Sequence, residues 1–501
     1  MTSSSSLYRT AYGFNQFLQA LSDNCKPHLE KHLIHMIDTQ KEPSEKESIV
    51  IIYDNLMFFA GDIAGDLGLP SIILRSSCAA FVPTYWIIPQ LHQDGRFPVQ
   101  DSLLQEMIPE FHPFRYRDLP YIDQPIQETL QLMAMITPKK PPSAFIWNTL
   151  EFLEQSALTQ IRHHYQVPIF TIGPLHKTSP TSSTSYLEED TTCIPWLDKQ
   201  SPKSVIYVSL GSLATIDAKV ATEMAWGIAN SNQPFLWVVR PGSVNGCDWI
   251  EFLPECLVSE MKTRGLIVKW VPQKEVLAHS AIGGFWSHCG WNSTLESVSE
   301  GVPMMCQPFS IDQMLNARYL SYVWKMGLEM VVQRGEIESA IRRVLVGKEG
   351  EEMRRRAMEI EEQVRVAIGH GGYSRKSMND LVEFIINVSK ATIPQRWGHS
   401  AEKHLCETGY NLRNGIFVNK LHHSAENSRH HAENKGIPQS TVAIPQRIFS
   451  ISQSLYVISM YGVRGDNSAE GQSIPQRQVC EMTPTSAKWP LFEETRQFRR
   501  R

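Results

Sequence analysis

Trp270, Val271 and Gln273 stand at a point where a strand is predicted to end. Trp270 follows the strand-like run LIVK, and an indole at a strand end can stack on a flat ring. A tryptophan after an apolar strand is more often part of a core, so its neighbours decide the interpretation. Val271 and Gln273 continue the same turn, where backbone polar groups remain free to bind the edge of a base.

The run GGFWSHCGWNSTLE combines a strand, a turn at Gly290 and a helix predicted to begin near Asn292 or Ser293. A helix start presents unpaired N–H groups and a positive dipole end, which suits a diphosphate. His288, just before the turn, can donate to a phosphate oxygen. Alternatively, Ser293 and Glu296 form a capping box, and Glu296 could instead accept hydrogen bonds from ribose hydroxyls. Both roles of Glu296 stay open at this point.

Asp312 and Gln313 follow the apolar segment VPMMCQPFSI, again past a predicted strand end. A carboxylate and an amide suit the hydroxyls of a sugar. An isolated pair of this kind is usually a solvated loop, but its position makes it a candidate for sugar recognition. The three groups together predict a pocket for a sugar nucleotide.

The elements that position these residues alternate between strand-like and helical stretches. One such series starts at Ser48 with SIVIIYDN, and a second restarts with SVIYVSLGS. Strands separated by helical crossovers indicate parallel, doubly wound sheets, in which ligands bind beyond the carboxyl ends of the strands. The predicted fold class is therefore α/β. The predicted division is a first domain at 1–175, a polar linker at 176–192, a second domain at 193–390 and a disordered tail at 391–501.

Composition excludes several other classes of protein. The formal net charge is −4 without a broad basic region, which argues against nucleic acid as a partner. The nine cysteines are scattered and contain no CxxC pair, so neither a zinc site nor a disulfide framework is predicted. No signal peptide and no membrane span are recognised, and a cytoplasmic location is expected. No GxGxxG motif supports a nicotinamide-dependent enzyme.

The segment from Trp270 to Gln313 resembles the signature box of plant family 1 UDP-glycosyltransferases. The resemblance rests on HCGWNS, GVP and the terminal DQ pair, and similarity extends from about Thr10 to Lys390. It implies a GT-B fold of two Rossmann-like domains, with the last helix packing back on the first. It also implies an inverting transfer of a hexose from a UDP-sugar to a hydroxyl of a small lipophilic plant metabolite. No metal or other cofactor is implied.

The resemblance further implies which residues contact each part of the donor. The residues implied to contact the uracil are Trp270, Val271 and Gln273. Those at the ribose and the diphosphate are Glu296, Ser212, His288, Asn292 and Ser293. Those at the hexose are Trp291, Asp312 and Gln313. In relatives a terminal glutamine accompanies glucose, so Gln313 favours UDP-glucose as the donor.

The chain departs from the family pattern at the catalytic base. Family members use a histidine at the end of the first strand, steadied by an aspartate that Asp54 matches here. The early histidines His28, His32 and His35 lie in a stretch predicted to be helical, so none of them matches. The resemblance then implies a chain that begins midway through the first domain. The alternative function is a catalytically impaired protein that binds a UDP-sugar.

Three residues of the first domain have competing interpretations. Asp54 precedes a helical stretch, where an aspartate is frequently an N-cap. Ser76 and Ser77 follow the next strand and would approach the sugar in the family geometry. Serines at strand ends more often cap helices, so both are secondary candidates.

Overall fold

Two mainly parallel β-sheets flanked by helices, together with one two-stranded sheet, form the part of the chain that the structure describes. The structure is a computed structural model, and it describes residues 11–38, 48–121, 124–178, 187–391 and 456–460. The predicted α/β class is confirmed, and the order of the strands reverses within the second sheet, as in a doubly wound fold. We call the parts of the chain that carry the first and the second sheet the first and the second domain.

The strands are short and are numbered in chain order. They are β1 (Ser48–Asp54), β2 (Ser71–Arg75), β3 (Ala144–Trp147), β4 (Ile169–Thr171), β5 (Val205–Ser209), β6 (Ile216–Asp217), β7 (Phe235–Val238), β8 (Val244–Asn245), β9 (Gly265–Val268), β10 (Ile282–Ser287), β11 (Met304–Cys306), β12 (Gly327–Glu329) and β13 (Tyr456–Met460).

The helices range from single turns to long amphipathic segments. They are α1 (Ala11–Asp38), α2 (Phe58–Asp66), α3 (Thr84–Gln93), α4 (Ile126–Ile136), α5 (Glu151–Tyr165), α6 (Leu175–Thr178), α7 (Cys193–Leu197), α8 (Ala218–Ser231), α9 (Glu255–Met261), α10 (Gln273–Ala278), α11 (Trp291–Ser299), α12 (Gln313–Arg318), α13 (Arg334–Leu345), α14 (Lys348–Ile368) and α15 (Tyr373–Ala391). Short 3-10 helices include Asn55–Met57 and Ala79–Phe81, and Tyr319–Val323 is a π-helical turn.

The strand order explains why residues far apart in sequence meet at one edge. The first sheet has the order β13-β1-β2-β3-β4, and its strands β1 to β4 are parallel. The second has the order β12-β11-β10-β5-β7-β9, and all neighbouring pairs are parallel. Parallel sheets are covered on both faces, and accordingly every residue of β5 and β10 is buried. The carboxyl ends of these strands therefore lie along one edge.

Two glycines permit the close packing of the second domain. A Cβ on Gly283 of β10 would lie 2.1 Å from the backbone oxygen of Lys203. A Cβ on Gly227 would lie 2.5 Å from Cβ of Ile337, at the crossing of α8 and α13. Both positions therefore exclude any larger residue unless the backbone shifts.

The last described helix of the compact part returns to the first sheet. Leu381 and Ile385 of α15 pack with Val50, Ile146 and Phe170 of the sheet. This contact places the end of the second domain against the face of the first. Among the described residues, no helix combines the length and the apolar character needed to span a bilayer.

The predicted linker at 176–192 overlaps with regular structure at its start. Helix α6 extends to Thr178 because Asn148 Oδ1 accepts a hydrogen bond from Leu175 N at 2.9 Å, which anchors the turn. Residues 179–186 lie outside the described residues. The domain boundaries themselves stay predictions.

The predicted disorder of residues 391–501 has exceptions at Ala391, which ends α15, and at β13. Strand β13 pairs antiparallel with β1, with Ser48 opposite Met460 and Ile52 opposite Tyr456. An edge strand presents a row of unpaired N–H and C=O groups, and an extended segment satisfies them. The rest of this range lies outside the described residues.

Candidate functional site

The candidate site lies where the carboxyl ends of β5, β9, β10 and β11 meet. The turn after β5 carries Ser212, the turn after β9 carries Trp270, and the turn after β10 carries His288. The turn after β11 carries Asp312. The parallel arrangement of the strands brings these four turns to one edge of the second sheet.

The imidazole of His288 packs closely against two glycines. A Cβ on Gly290 would lie 2.4 Å from His288 Nε2, and a Cβ on Gly211 would lie 2.6 Å from Cε1. Gly211 also has a φ of +78°, which favours glycine. Burial lowers the pKa of His288 to about 4, so the ring is neutral at physiological pH. His288 can therefore offer a phosphate a neutral N–H donor.

Helix α11 begins one or two residues earlier than predicted. Its first residue is Trp291, and Gly290 is the N-cap with φ −60° and ψ 143°. No side chain caps the helix, so the predicted capping box of Ser293 and Glu296 is wrong. The first-turn N–H groups are thereby left available to an anion. The physical reason is that Gly290 takes the extended N-cap conformation itself, which moves Ser293 into the first turn.

Ser293 and Glu296 are instead joined through Gln273. Gln273 Nε2 donates to Ser293 Oγ at 3.1 Å and to Glu296 Oε2 at 2.6 Å. Gln273 Oε1 accepts from the hydroxyl of Tyr207 at 3.0 Å, which fixes the orientation of the amide. Burial raises the pKa of Glu296. The network holds the Glu296 carboxyl beside the start of α11.

Tyr207 was missed by the sequence analysis. It lies in β5, within the run SVIYVSLGS, where it was counted only as a strand residue. The signal available was a large hydroxyl-bearing side chain in the interior of a buried strand, because a buried hydroxyl needs a partner.

The turn after β9 places one buried and one half-buried residue side by side. Val271 is buried, whereas Trp270 is half-buried. The backbone oxygen of Trp270 accepts a hydrogen bond from Asp190 N at 3.0 Å. The indole thus keeps an accessible surface while the backbone of its turn is fixed.

Asp312 and Gln313 are each tied to backbone N–H groups. Asp312 Oδ2 accepts from Cys78 N of the first domain at 3.2 Å, and burial raises the Asp312 pKa to about 6. Gln313 Oε1 accepts from Phe309 N at 2.8 Å and from Ser310 N at 3.2 Å. Because the oxygen is occupied, Nε2 is the atom that Gln313 can offer to a sugar hydroxyl.

Trp291 uses its indole for a contact between the domains. The residue is 3% exposed, and its Nε1 donates to the backbone oxygen of Asn148 at 2.7 Å. Asn148 Nδ2 also donates to Asn292 Oδ1, at 3.2 Å. A contact between Trp291 and a ligand would therefore come from its backbone N–H in the first turn of α11.

Asn148 was also missed by the sequence analysis, although its position carried a signal. It follows the buried strand β3 at the carboxyl edge of the first sheet, as the candidate residues of the second domain do. The same reasoning from strand ends would have selected it.

Asp54 is buried and has an N-cap role. Its Oδ1 accepts from Leu56 N at 2.9 Å and caps the 3-10 helix Asn55–Met57. Its Oδ2 accepts from Ser76 Oγ at 2.9 Å. Burial raises the pKa of Asp54. Ser76 thus bonds Asp54 rather than capping a helix, and no histidine among the described residues hydrogen-bonds to this carboxyl.

Comparison with known proteins identifies the family to which the chain belongs. The family described as UDP-glucoronosyl and UDP-glucosyl transferase matches residues 188–360. UDP-glycosyltransferase 76H1 of Stevia rebaudiana is 67% identical over 374 residues, which cover 74% of this chain and 87% of that protein. Flavonol 3-O-glucosyltransferase UGT76E12 of Arabidopsis thaliana is 43% identical over 377 residues, with coverages of 74% and 81%.

Solved structures show the same fold. TcCGT1 in complex with UDP aligns with a TM-score of 0.59 and 30% identity, covering 67% of this chain and 76% of that one. Phytolacca americana UGT2, complexed with UDP-2fluoro-glucose and pterostilbene, aligns with a TM-score of 0.57 and 29% identity, covering 66% and 75%.

Fold and sequence together define a GT-B glycosyltransferase. The chain belongs to the plant family 1 UDP-glycosyltransferases, which transfer a sugar from a UDP-sugar to small plant molecules.

Proposed function

We propose that the donor is UDP-glucose and that glucose is transferred, with inversion, to a hydroxyl of a small lipophilic plant metabolite. One observation is the main support for the proposed donor site: Gln273 joins Ser293 to Glu296 beside the start of α11, where no side chain caps the helix. This arrangement offers a carboxyl to a ribose and free N–H groups to a diphosphate within one turn of helix. Gln313, with its Nε2 available, supports glucose as the hexose.

The proposed donor contacts follow the order of the turns along the sheet edge. Trp270 and Val271 bind the uracil, and Gln273 supports Glu296, which binds the ribose. The groups proposed for the diphosphate are Ser212, His288, Asn292 and Ser293. Those proposed for the hexose are Trp291, Asp312 and Gln313.

The proposed chemistry is electrostatic at the leaving group. The positive end of the α11 dipole and the neutral N–H of His288 stabilise the negative charge that develops on the departing diphosphate. We propose that these groups serve in place of a metal ion. The described residues contain no group of three or more His, Cys, Asp or Glu side chains that could hold one.

A second candidate function is binding of the UDP-sugar with impaired turnover. The observation that favours it is the environment of Asp54, whose two oxygens are bonded to Leu56 and Ser76. No histidine among the described residues hydrogen-bonds to this carboxyl, so the described part of the chain shows no imidazole base oriented by Asp54. Without a positioned base, transfer is expected to be slower by about 10²–10⁴-fold.

A two-part assay separates these functions. The first part measures UDP binding by calorimetry, and the second measures UDP release from UDP-glucose with a panel of flavonoid and terpenoid alcohols. Glucose transfer predicts UDP binding together with UDP release near about 10 s⁻¹, the median for enzymes, whereas impaired turnover predicts UDP binding with release well below that rate. Turnover near that median would contradict the impaired function. A chain that does not bind UDP would contradict both functions.

The ionisation of Asp312 predicts a dependence of hexose binding on pH. Burial raises its pKa to about 6, so the carboxylate that would accept sugar hydroxyls is protonated as the pH falls through this value. We expect the affinity for UDP-glucose, relative to that for UDP, to fall about 10-fold between pH ~8 and pH ~5. Calorimetry across this range measures the ratio, and Asp312→Asn is expected to remove the dependence.

The raised pKa of Asp312 also affects the stability of the fold, which is expected to decrease with rising pH while hexose binding improves. Because the folded state binds this proton more tightly than the unfolded state, Asp312 contributes stability at acid pH and loses it as the pH rises through about 6.

For the binding test, a ratio of UDP-glucose to UDP affinity that stays constant between pH ~8 and pH ~5 in the native protein would contradict the assignment of Asp312 to the hexose.

A further inference from the structure

Glu154 is a buried carboxyl group of the first domain that hydrogen-bonds to two separate turns. Its side chain accepts from Ala79 N at 2.9 Å, from Ala80 N at 3.1 Å and from Thr149 Oγ1 at 2.7 Å. The residue is 1% exposed and departs from helical geometry inside α5, with φ −133° and ψ 30°. The irregular backbone therefore occurs at the residue whose side chain makes these three bonds.

The first of these turns, residues 76–80, reaches the donor site. Cys78 N donates to Asp312 Oδ2 at 3.2 Å. The two N–H groups that follow it in the chain, those of Ala79 and Ala80, are the ones that Glu154 accepts. Fixing these two groups fixes the direction of the Cys78 N–H, and with it the carboxyl group of Asp312.

The second turn, Asn148 and Thr149, reaches the start of α11. The backbone oxygen of Asn148 accepts from Trp291 Nε1, and its Nδ2 donates to Asn292 Oδ1. Thr149 Oγ1 donates to Glu154. Both turns of the first domain that touch the donor site are thus attached to one carboxyl group.

We propose that Glu154 is a positioning residue for hexose recognition, which holds these two turns so that Asp312 and Trp291, the proposed hexose ligands that the turns contact, keep the geometry the sugar requires. The proposal rests on the proposed function, in which Asp312 binds the hexose. Glu154 touches neither the donor nor the reacting atoms in this account, and it acts through Cys78 and Asn148.

A purely structural role is the alternative, and the chemistry of the site argues against it. Burial raises the pKa of Glu154 to about 7, and the charge of Asp312 adds to the same shift. An apolar side chain of similar size would avoid the cost of burying an ionisable group, but it would leave the N–H groups of Ala79 and Ala80 and the hydroxyl of Thr149 without this acceptor. The benefit of the carboxyl therefore lies in the N–H and hydroxyl groups that it orients.

The test compares affinities for UDP and for UDP-glucose, measured by calorimetry on the full chain. Glu154→Gln places an amide N–H2 among N–H donors, so it disturbs both turns while preserving size. We expect the affinity for UDP-glucose to fall about 10-fold while that for UDP changes less than about 2-fold. Thr149→Val removes one bond to the carboxyl and is expected to act in the same direction with a smaller effect. Glu151→Gln, at the partly exposed start of the same helix, is the matched control and should leave both affinities unchanged.

The outcomes separate this inference from the function on which it rests. If Asp312→Asn binds UDP normally and UDP-glucose as well as the native protein does, the assignment of Asp312 to the hexose fails. If Asp312→Asn weakens UDP-glucose but Glu154→Gln and Thr149→Val do not, the positioning role alone is overturned. Equal losses for both ligands in the two variants would show a structural role only and would also overturn it. Thr149→Val decides the matter if Glu154→Gln does not fold.

Discussion

Replacement of Gly290 by alanine is expected to abolish UDP binding at concentrations that saturate the native protein. The new Cβ would lie 2.4 Å from His288 Nε2 and 3.1 Å from Cε1, so the imidazole must move. Gly211 also lies against the ring, since a Cβ there would be 2.6 Å from His288 Cε1. Overpacking costs about 1–3 kcal/mol, and a lost hydrogen bond to a charged group costs about 1.5–3 kcal/mol. Their sum corresponds to a loss of about 100-fold or more, measurable by calorimetry.

The matched control for this variant is Gly335→Ala in α13. A Cβ there meets no atom within 4 Å, and the residue lies in a helix where alanine is favoured over glycine by about 1 kcal/mol. We expect unchanged UDP affinity and equal or slightly greater stability. If Gly290→Ala binds UDP as the native protein does, His288 is not a phosphate ligand held by this turn.

Glu296→Gln is expected to produce the second largest loss of UDP affinity, and this loss should depend on the ribose hydroxyls. The glutamine keeps an oxygen that can accept from Gln273 Nε2, so the network should persist. The charge is removed, and hydrogen bonds to charged groups contribute about 1.5–3 kcal/mol, which is about 10- to 150-fold in affinity. We expect this loss for UDP and a change below about 2-fold for the analogue that lacks the 2′ and 3′ hydroxyls.

Glu275→Gln supplies the control because Glu275 is an exposed carboxylate on α10, the same helix as Gln273. It should leave the affinities for both nucleotides unchanged. Equal losses for UDP and its dideoxy analogue in Glu296→Gln would mean that Glu296 supports the turn through Gln273 without contacting the ribose.

The local parts of the site could be predicted from sequence because they depend on residues close together in the chain. Apolar runs such as LIVK and GGFWS identified strands, and the residues after them were placed at strand ends. Parallel topology then brought those ends together, as the structure shows for Trp270, His288 and Asp312.

The contacts between distant segments could not be predicted in this way. The bond from Cys78 N to Asp312 joins residues 234 positions apart, and that from Trp291 to Asn148 joins residues 143 positions apart. No local pattern encodes such pairs, because they depend on how two domains dock. The capping box failed for a different reason: N-caps at Gly290 and at Ser293, three residues apart, both fit the sequence, and the helix begins after Gly290.

The central claim, that uridine and diphosphate bind at the carboxyl edge of the second sheet, is tested most directly by calorimetric titration of the full chain with UDP. We expect saturable binding of one UDP per chain, weakened at least about 10-fold by His288→Ala. Native protein that gives no binding isotherm, or a His288→Ala variant with undiminished affinity, would contradict it.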